Sequence, residues 1–240
     1  MTKYFEILID LLKKADAANK ENIEKVSDII YDCIKGDGII YMFGCGHSSL
    51  IASDCFYRAG GLANIQPIFI PELMLHVSAS NSNLLEKDQL SCKYALAGYT
   101  FTKNDVLVVF SVSGINGAPI EVARQGKELG LTVVGIGSST YFDEKSRHSS
   151  GKKLSDYCDV FLDNCVPKGD AVIKLDDDIN AIPISTPISS ALMQSCIAEG
   201  VKKCCEKGVV IPIFGSGNLE ENMENNQRLV SKYKDRIRCL

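Results

Sequence analysis

Five apolar runs recur along the chain: "IIYMF" at 39–43, "IQPIFI" at 65–70, "DVLVVF" at 105–110, "LTVVGIG" at 131–137 and "YCDVFLDN" at 157–164. Most are short, rich in Val and Ile and free of polar breaks, which is the pattern of strands covered on both faces. Between them the apolar positions fall at helical spacing. Leu50, Ile51, Cys55 and Phe56 mark a helix closed by Gly60 and Gly61, a second helix is expected near 84–97, and "APIEVARQGKELG" predicts a third ending at Gly130. A long closing helix is expected from about Ile188 to Glu206.

Strands that alternate with helices this way form parallel neighbours, because only a crossover connection returns the chain to the same end of the sheet. The expected fold class is α/β: a three-layer αβα sandwich on a five-stranded parallel sheet of flavodoxin-like order 2-1-3-4-5. Upstream, Phe5, Leu8, Leu12 and Ala15 lie at helical spacing in "MTKYFEILIDLLKKADAANK". Amphipathic helices are predicted over about 2–17 and 20–35, an N-terminal helical hairpin ending at "KGDG". The chain reads as one domain, with N-terminal helices over 1–36, the αβα core over 37–207 and a C-terminal extension over 208–240.

Composition narrows the function classes. Of 240 residues, 45% are hydrophobic and 23% charged, enough to bury a large core and too apolar for disorder. The net charge is −4, and Lys and Arg are scattered except in "SRHSSGKK" and "KYKDRIR", so nucleic acid is not an expected partner. No apolar run approaches the roughly 20 residues that span a bilayer, and no signal peptide opens the chain, so a cytoplasmic location is expected without membrane association. The ten cysteines include no C-x-x-C pair and read as free thiols in a reducing compartment. Cys45 is set apart by its place at an expected helix N-terminus, where a thiolate is stabilised.

In a sheet of this order, the loops after the first and third strands diverge to opposite faces and open a crevice at their carboxyl ends. Here those loops are "GCGHSS" and "SVSGINGAP". Gly46, His47, Ser48 and Ser49 in the first, with Ser111, Ser113, Gly114 and Asn116 in the second, bring hydroxyls, backbone N–H groups and two helix N-termini to one place. That set suits an anion such as a phosphate. A dinucleotide is the competing ligand, since "GCGHSS" begins like G-x-G-x-x-G and Glu72 could meet a ribose, but the third glycine is missing and the acidic residue comes late.

At these loops the sequence resembles the SIS, or sugar isomerase, domain family, whose five-stranded αβα sandwich binds phosphosugars through serine-rich loops. The family's second loop reads S-x-S-G-x-T. In "SVSGIN" Ser111, Ser113 and Gly114 match, while Asn116 replaces the threonine. With "FYRAGGLA", "PELMLH", "SRHSSGKKL" and "NQRLVSKYKDRIRCL", the resemblance extends over almost the whole chain, to a single-domain phosphosugar-binding branch. It implies a sugar-phosphate ligand and assembly as a homodimer or homotetramer. The reaction stays open among aldose–ketose isomerisation, removal of a substituent from an amino-sugar phosphate, and non-catalytic sensing.

Isomerisation needs a carboxylate to move a proton between C1 and C2, and imidazole suits ring opening. Glu72 and His76 are the first candidates, because they follow the second strand and would share one face if "ELMLH" is helical. His148, in the basic loop after the fourth strand, is a candidate lid residue or a contributor to a partner subunit's site. Ser185 and Thr186 would cap the closing helix or meet the ligand's hydroxyls. Glu199 is expected to pair with Lys203, whereas Lys168 and Asp170, after the fifth strand, are left unassigned. No cofactor is called for, and three His residues without H-x-x-x-H spacing make no metal site.

Overall fold

A computed structural model describes all 240 residues. Strands β1 (Ile40–Gly44), β2 (Ile65–Ile68), β3 (Val106–Phe110), β4 (Thr132–Gly137) and β5 (Val160–Asp163) pair in parallel in the order β2-β1-β3-β4-β5. Every residue of β1, β2 and β3 is buried, which is why those runs carry no polar alternation. Successive side chains serve opposite layers. Ile40 and Met42 pack into a core with α1 (Lys3–Lys35), α2 (Ser49–Cys55) and α5 (Ser185–Glu206). Tyr41 and Phe43 pack into the opposite core with α4 (Gly117–Glu128) and α6 (Met223–Tyr233). The α/β sandwich and strand order expected from the runs are both present.

The N-terminal hairpin is not formed. Residues 3–35 make one continuous helix, and its midpoint, where polar "NKEN" suggests a break, is held by Asn19. That side chain is buried: its Nδ2 donates to Ala15 O at 2.6 Å and to Asp163 O at 2.7 Å, while Asp163 N donates to its Oδ1 at 2.9 Å. The amide therefore stitches α1 to the end of β5, and with neither Gly nor Pro at hand nothing interrupts the helix.

Two further departures shape the cleft. In place of a helix over 84–97, α3 spans Leu75–Leu85 with a kink at Ser78, and the chain then turns before a short 3-10 segment at Gln89–Cys92. After β5, a two-stranded antiparallel hairpin, β6 (Ala171–Asp176) and β7 (Ile179–Pro183), carries the chain to the start of α5. The C-terminal extension packs as α6 and its tail, with Arg238 N donating to Gln66 Oε1 at 2.5 Å and Lys232 Nζ meeting Asp37 Oδ1 at 2.7 Å. No helix is long and apolar enough to cross a membrane.

Candidate functional site

At the carboxyl ends of β1 and β3 the diverging loops enclose a cleft of about 550 Å³. The first loop supplies Cys45, His47 and Ser48, and the second supplies Ser111, Val112, Ser113 and Asn116. Gly46 (φ 54°) and Gly114 (φ 61°) turn the chain through left-handed backbone that a side chain would strain, so they shape the loops without lining the cleft. Ser111 Oγ accepts Gly114 N–H at 3.2 Å, which tightens the second loop. Ser49 is buried away from the cleft and donates its hydroxyl to Gly46 O at 2.7 Å, closing the first turn. The hydroxyls of Ser48, Ser113 and Thr186 line the cleft with no partner inside the protein.

The far wall comes from residues to which the sequence assigned no role. Asn83 and Glu86 arrive from the end of α3, Tyr141 from the loop after β4, and Asp170 from the loop before β6. Asp170 caps α5: Oδ1 accepts from Ile184 N at 3.0 Å and Ser185 N at 2.7 Å, and Oδ2 accepts the Ser185 hydroxyl at 2.6 Å. Ser185 is thereby committed to the cap, leaving Thr186 as the hydroxyl that α5 presents. Tyr141 OH accepts Gly169 N–H at 2.8 Å and so holds the two loops together.

Glu86 is the carboxyl that faces the cleft in a perturbed environment. Burial raises its pKa above the ordinary 4.5, against the opposing pull of Lys87, Arg147 and a hydrogen bond from Asn116 Nδ2 at 2.8 Å. Cys45 behaves oppositely to expectation: burial first, then Cys92 and Glu86, push its thiol well above the usual range, so no thiolate forms there. No three His, Cys, Asp or Glu side chains converge to hold a metal ion.

Glu72 and His76 do not share a helix face. Met74 is extended between them (φ −94°, ψ 137°), and both side chains are exposed outside the cleft. His148 is not a lid residue in this chain either; it is buried and sealed behind the second loop. Its Nε2 lies 3.0 Å from Glu121 Oε2 and its Nδ1 accepts Ser150 N–H at 3.2 Å, which places the ring proton on Nε2. Glu199 pairs with Lys202 at 3.7 Å, because Lys203 reaches across to Glu24 and Asp28 of α1.

The sequence matches the SIS domain family over residues 3–138, more than half of the chain. The chain belongs to the SIS domain family. Relatives extend over its full length: a UPF0309 protein of Listeria innocua is 40% identical across 100% of this chain and 98% of its own. A UPF0309 protein of Caldanaerobacter subterraneus is 39% identical across 99% of this chain and 98% of its own. Among solved structures, phosphoheptose isomerase GmhA from Neisseria gonorrhoeae superposes with a TM-score of 0.54 at 17% identity, over 82% of this chain and 95% of that one. A phosphoheptose isomerase from Francisella tularensis gives 0.50 at 18% identity, over 83% and 98%. At such identities the likeness establishes the shared fold.

Within this SIS domain, the ionic cluster behind the second loop yields a pH prediction. Burial opposes ionisation of Glu121, but hydrogen bonds from Arg124, Gln125 and His148 outweigh it and hold the carboxyl down at about 2. A carboxyl depressed in the folded state stabilises fully above its unfolded value near 4.5, and that stability is lost as pH falls through about 2. Glu121→Gln is expected to be less stable than the parent by roughly 1–3 kcal/mol at pH 7, a gap that narrows at pH 3 in denaturant titrations. An equal gap at both pH values would show that the ionised form carries none of it.

Proposed function

We propose that the cleft binds a sugar phosphate and that the protein interconverts an aldose phosphate and its ketose. The observation that carries this reading is a half-buried carboxyl, Glu86, whose pKa burial raises, facing unpartnered hydroxyls and helix N-termini at the β1/β3 crevice. Ser48, Ser111, Ser113 and Thr186 suit the phosphate, since hydroxyls and backbone N–H groups hold a dianion without lysine or arginine. Glu86 then acts as the base that carries a proton between C1 and C2, and the burial that raises its pKa makes it a stronger base than an exposed carboxylate. His47, at the exposed mouth of the first loop, is placed to assist ring opening. The names of the superposed phosphoheptose isomerases and the family membership support the substrate class. Proton abstraction beside a carbonyl would equally begin removal of a substituent from an amino-sugar phosphate, and product analysis separates the two reactions.

A thermal-shift series tests the binding step. Sugar phosphates are expected to raise the melting temperature while their unphosphorylated parents do not, because a ligand bound only by the folded state stabilises it by mass action. In the Ser111→Ala, Ser113→Ala double variant that increment should disappear. Stabilisation that is independent of phosphate, or that survives in the double variant, would remove the phosphate from this cleft.

A further inference from the structure

We infer that Arg147 is a positioning residue that acts through Asn116 to hold the Glu86 carboxyl in its working orientation. The inference rests on the reading of Glu86 as the base. Arg147 Nη1 donates to Asn116 Oδ1, and Asn116 Nδ2 donates to Glu86 Oε1 at 2.8 Å. A guanidinium has only donors and a carboxylate only acceptors, so an amide between them has one way to face. Without Arg147 the amide can flip and present its own oxygen to the carboxylate. This accounts for the departure in the second loop: a threonine hydroxyl offers one proton on a shorter arm and spans the two partners less well.

Arg147 is exposed, yet its starting point is fixed. The basic loop is strapped down by Arg147 N to Ile115 O at 2.8 Å, Leu154 N to Gly114 O at 2.9 Å and Ser149 N to Gln89 Oε1 at 2.7 Å. His148, anchored on Glu121, completes the fastening. These contacts reach both the phosphate loop and the turn that bears Glu86, so the strap sets the distance between the two halves of the site. Around Glu86 the charged or titratable groups are Lys87 on its own turn, Arg147 on the strap, Cys45 and His47 from the first loop, and Tyr141 and Asp170 in the cleft wall. Arg147 also lowers the Glu86 pKa directly through its charge, so the part that belongs to the relay is read from Asn116→Thr, which keeps that charge in place.

Carboxyl-carbon NMR titration of Glu86, assigned with Glu86→Gln, is the decisive measurement, because it needs no substrate. In Arg147→Met the Glu86 midpoint is expected to move to higher pH, in Arg147→Lys to return part of the way, and in Asn116→Thr to move upward as well. With a turned-over substrate, Arg147→Met should lower kcat about tenfold with KM within about twofold, and shift the acid limb of kcat/KM upward. A parent-like midpoint in folded Asn116→Thr, or in folded Arg147→Met, overturns the inference. If Arg147→Met does not fold, Asn116→Thr decides alone. A shifted midpoint with no turnover of any sugar phosphate supports the relay and counts against the isomerase reading only.

Discussion

Glu86→Gln is expected to lower turnover of a sugar phosphate by about 10²–10⁴-fold, the usual contribution of a positioned general base, while leaving binding of the same ligand intact. The substitution is close to isosteric, and the carbonyl of the introduced amide can still accept from Asn116 Nδ2. Phosphate-dependent thermal stabilisation should therefore match the parent. Stability supplies the control. A carboxyl whose folded pKa is raised contributes most below its unfolded value of 4.5 and loses that contribution as pH rises through the folded value. An amide behaves as the permanently uncharged form, so at neutral pH the variant should melt no lower than the parent. A protein that folds at least as well, binds its ligand and does not turn it over has lost a chemical group and nothing else. Glu72→Gln completes the comparison and is expected to retain activity; its loss instead would hand the role to the exposed Glu72, acting in the cleft of a second copy.

The contrast between those two carboxylates shows what sequence patterning can reach. "DVLVVF" and "IIYMF" announce themselves because strands buried on both faces must be apolar at every position, and their order then locates the crevice before any side chain is placed. The serine loops follow from that order, and Ser48, Ser111, Ser113 and Asn116 all line the cleft. Glu86 was hidden for a different reason. "NLLEKDQLSCKYALA" has helical periodicity, whereas in the fold the turn that ends α3 packs against the first residues of α4, with Ala118 N donating to Glu86 O. Asn19 misleads in the same manner: a polar residue in a helical stretch reads as a break until its partners on β5 are known. Asp170 and Tyr141 belong to loops whose position depends on β4, β5 and α5 together. Local pattern finds elements, whereas the groups that close a site from the far side are set by contacts distant in sequence.

Gly117→Ala should show how tightly Glu86 depends on such a contact. A Cβ at position 117 would lie 2.5 Å from Gln89 N, 2.6 Å from Lys87 O and 3.0 Å from Asp88 C, all backbone atoms that cannot rotate aside. Alanine is worth about 1 kcal/mol over glycine in a helix interior and less at the first position, where Gly117 stands, so propensity alone would stabilise α4 by no more than that. Overpacking against fixed backbone costs about 1–3 kcal/mol, and that term is expected to win, giving a net loss of up to roughly 2 kcal/mol and up to about 8 °C in melting temperature. The functional effect should be larger. Ala118 N donates to Glu86 O at 3.0 Å, so the turn that must back away from α4 is the one that delivers the base. A displacement near 1 Å is enough to cost about 100-fold in rate. The three atoms nearest the added Cβ belong to Lys87, Asp88 and Gln89 and none to Ser48, Ser111 or Ser113, so sugar-phosphate binding should fall less than kcat. A variant that kept full turnover would mean that the Glu86 turn can shift without consequence, and the base would have to be sought elsewhere in the cleft.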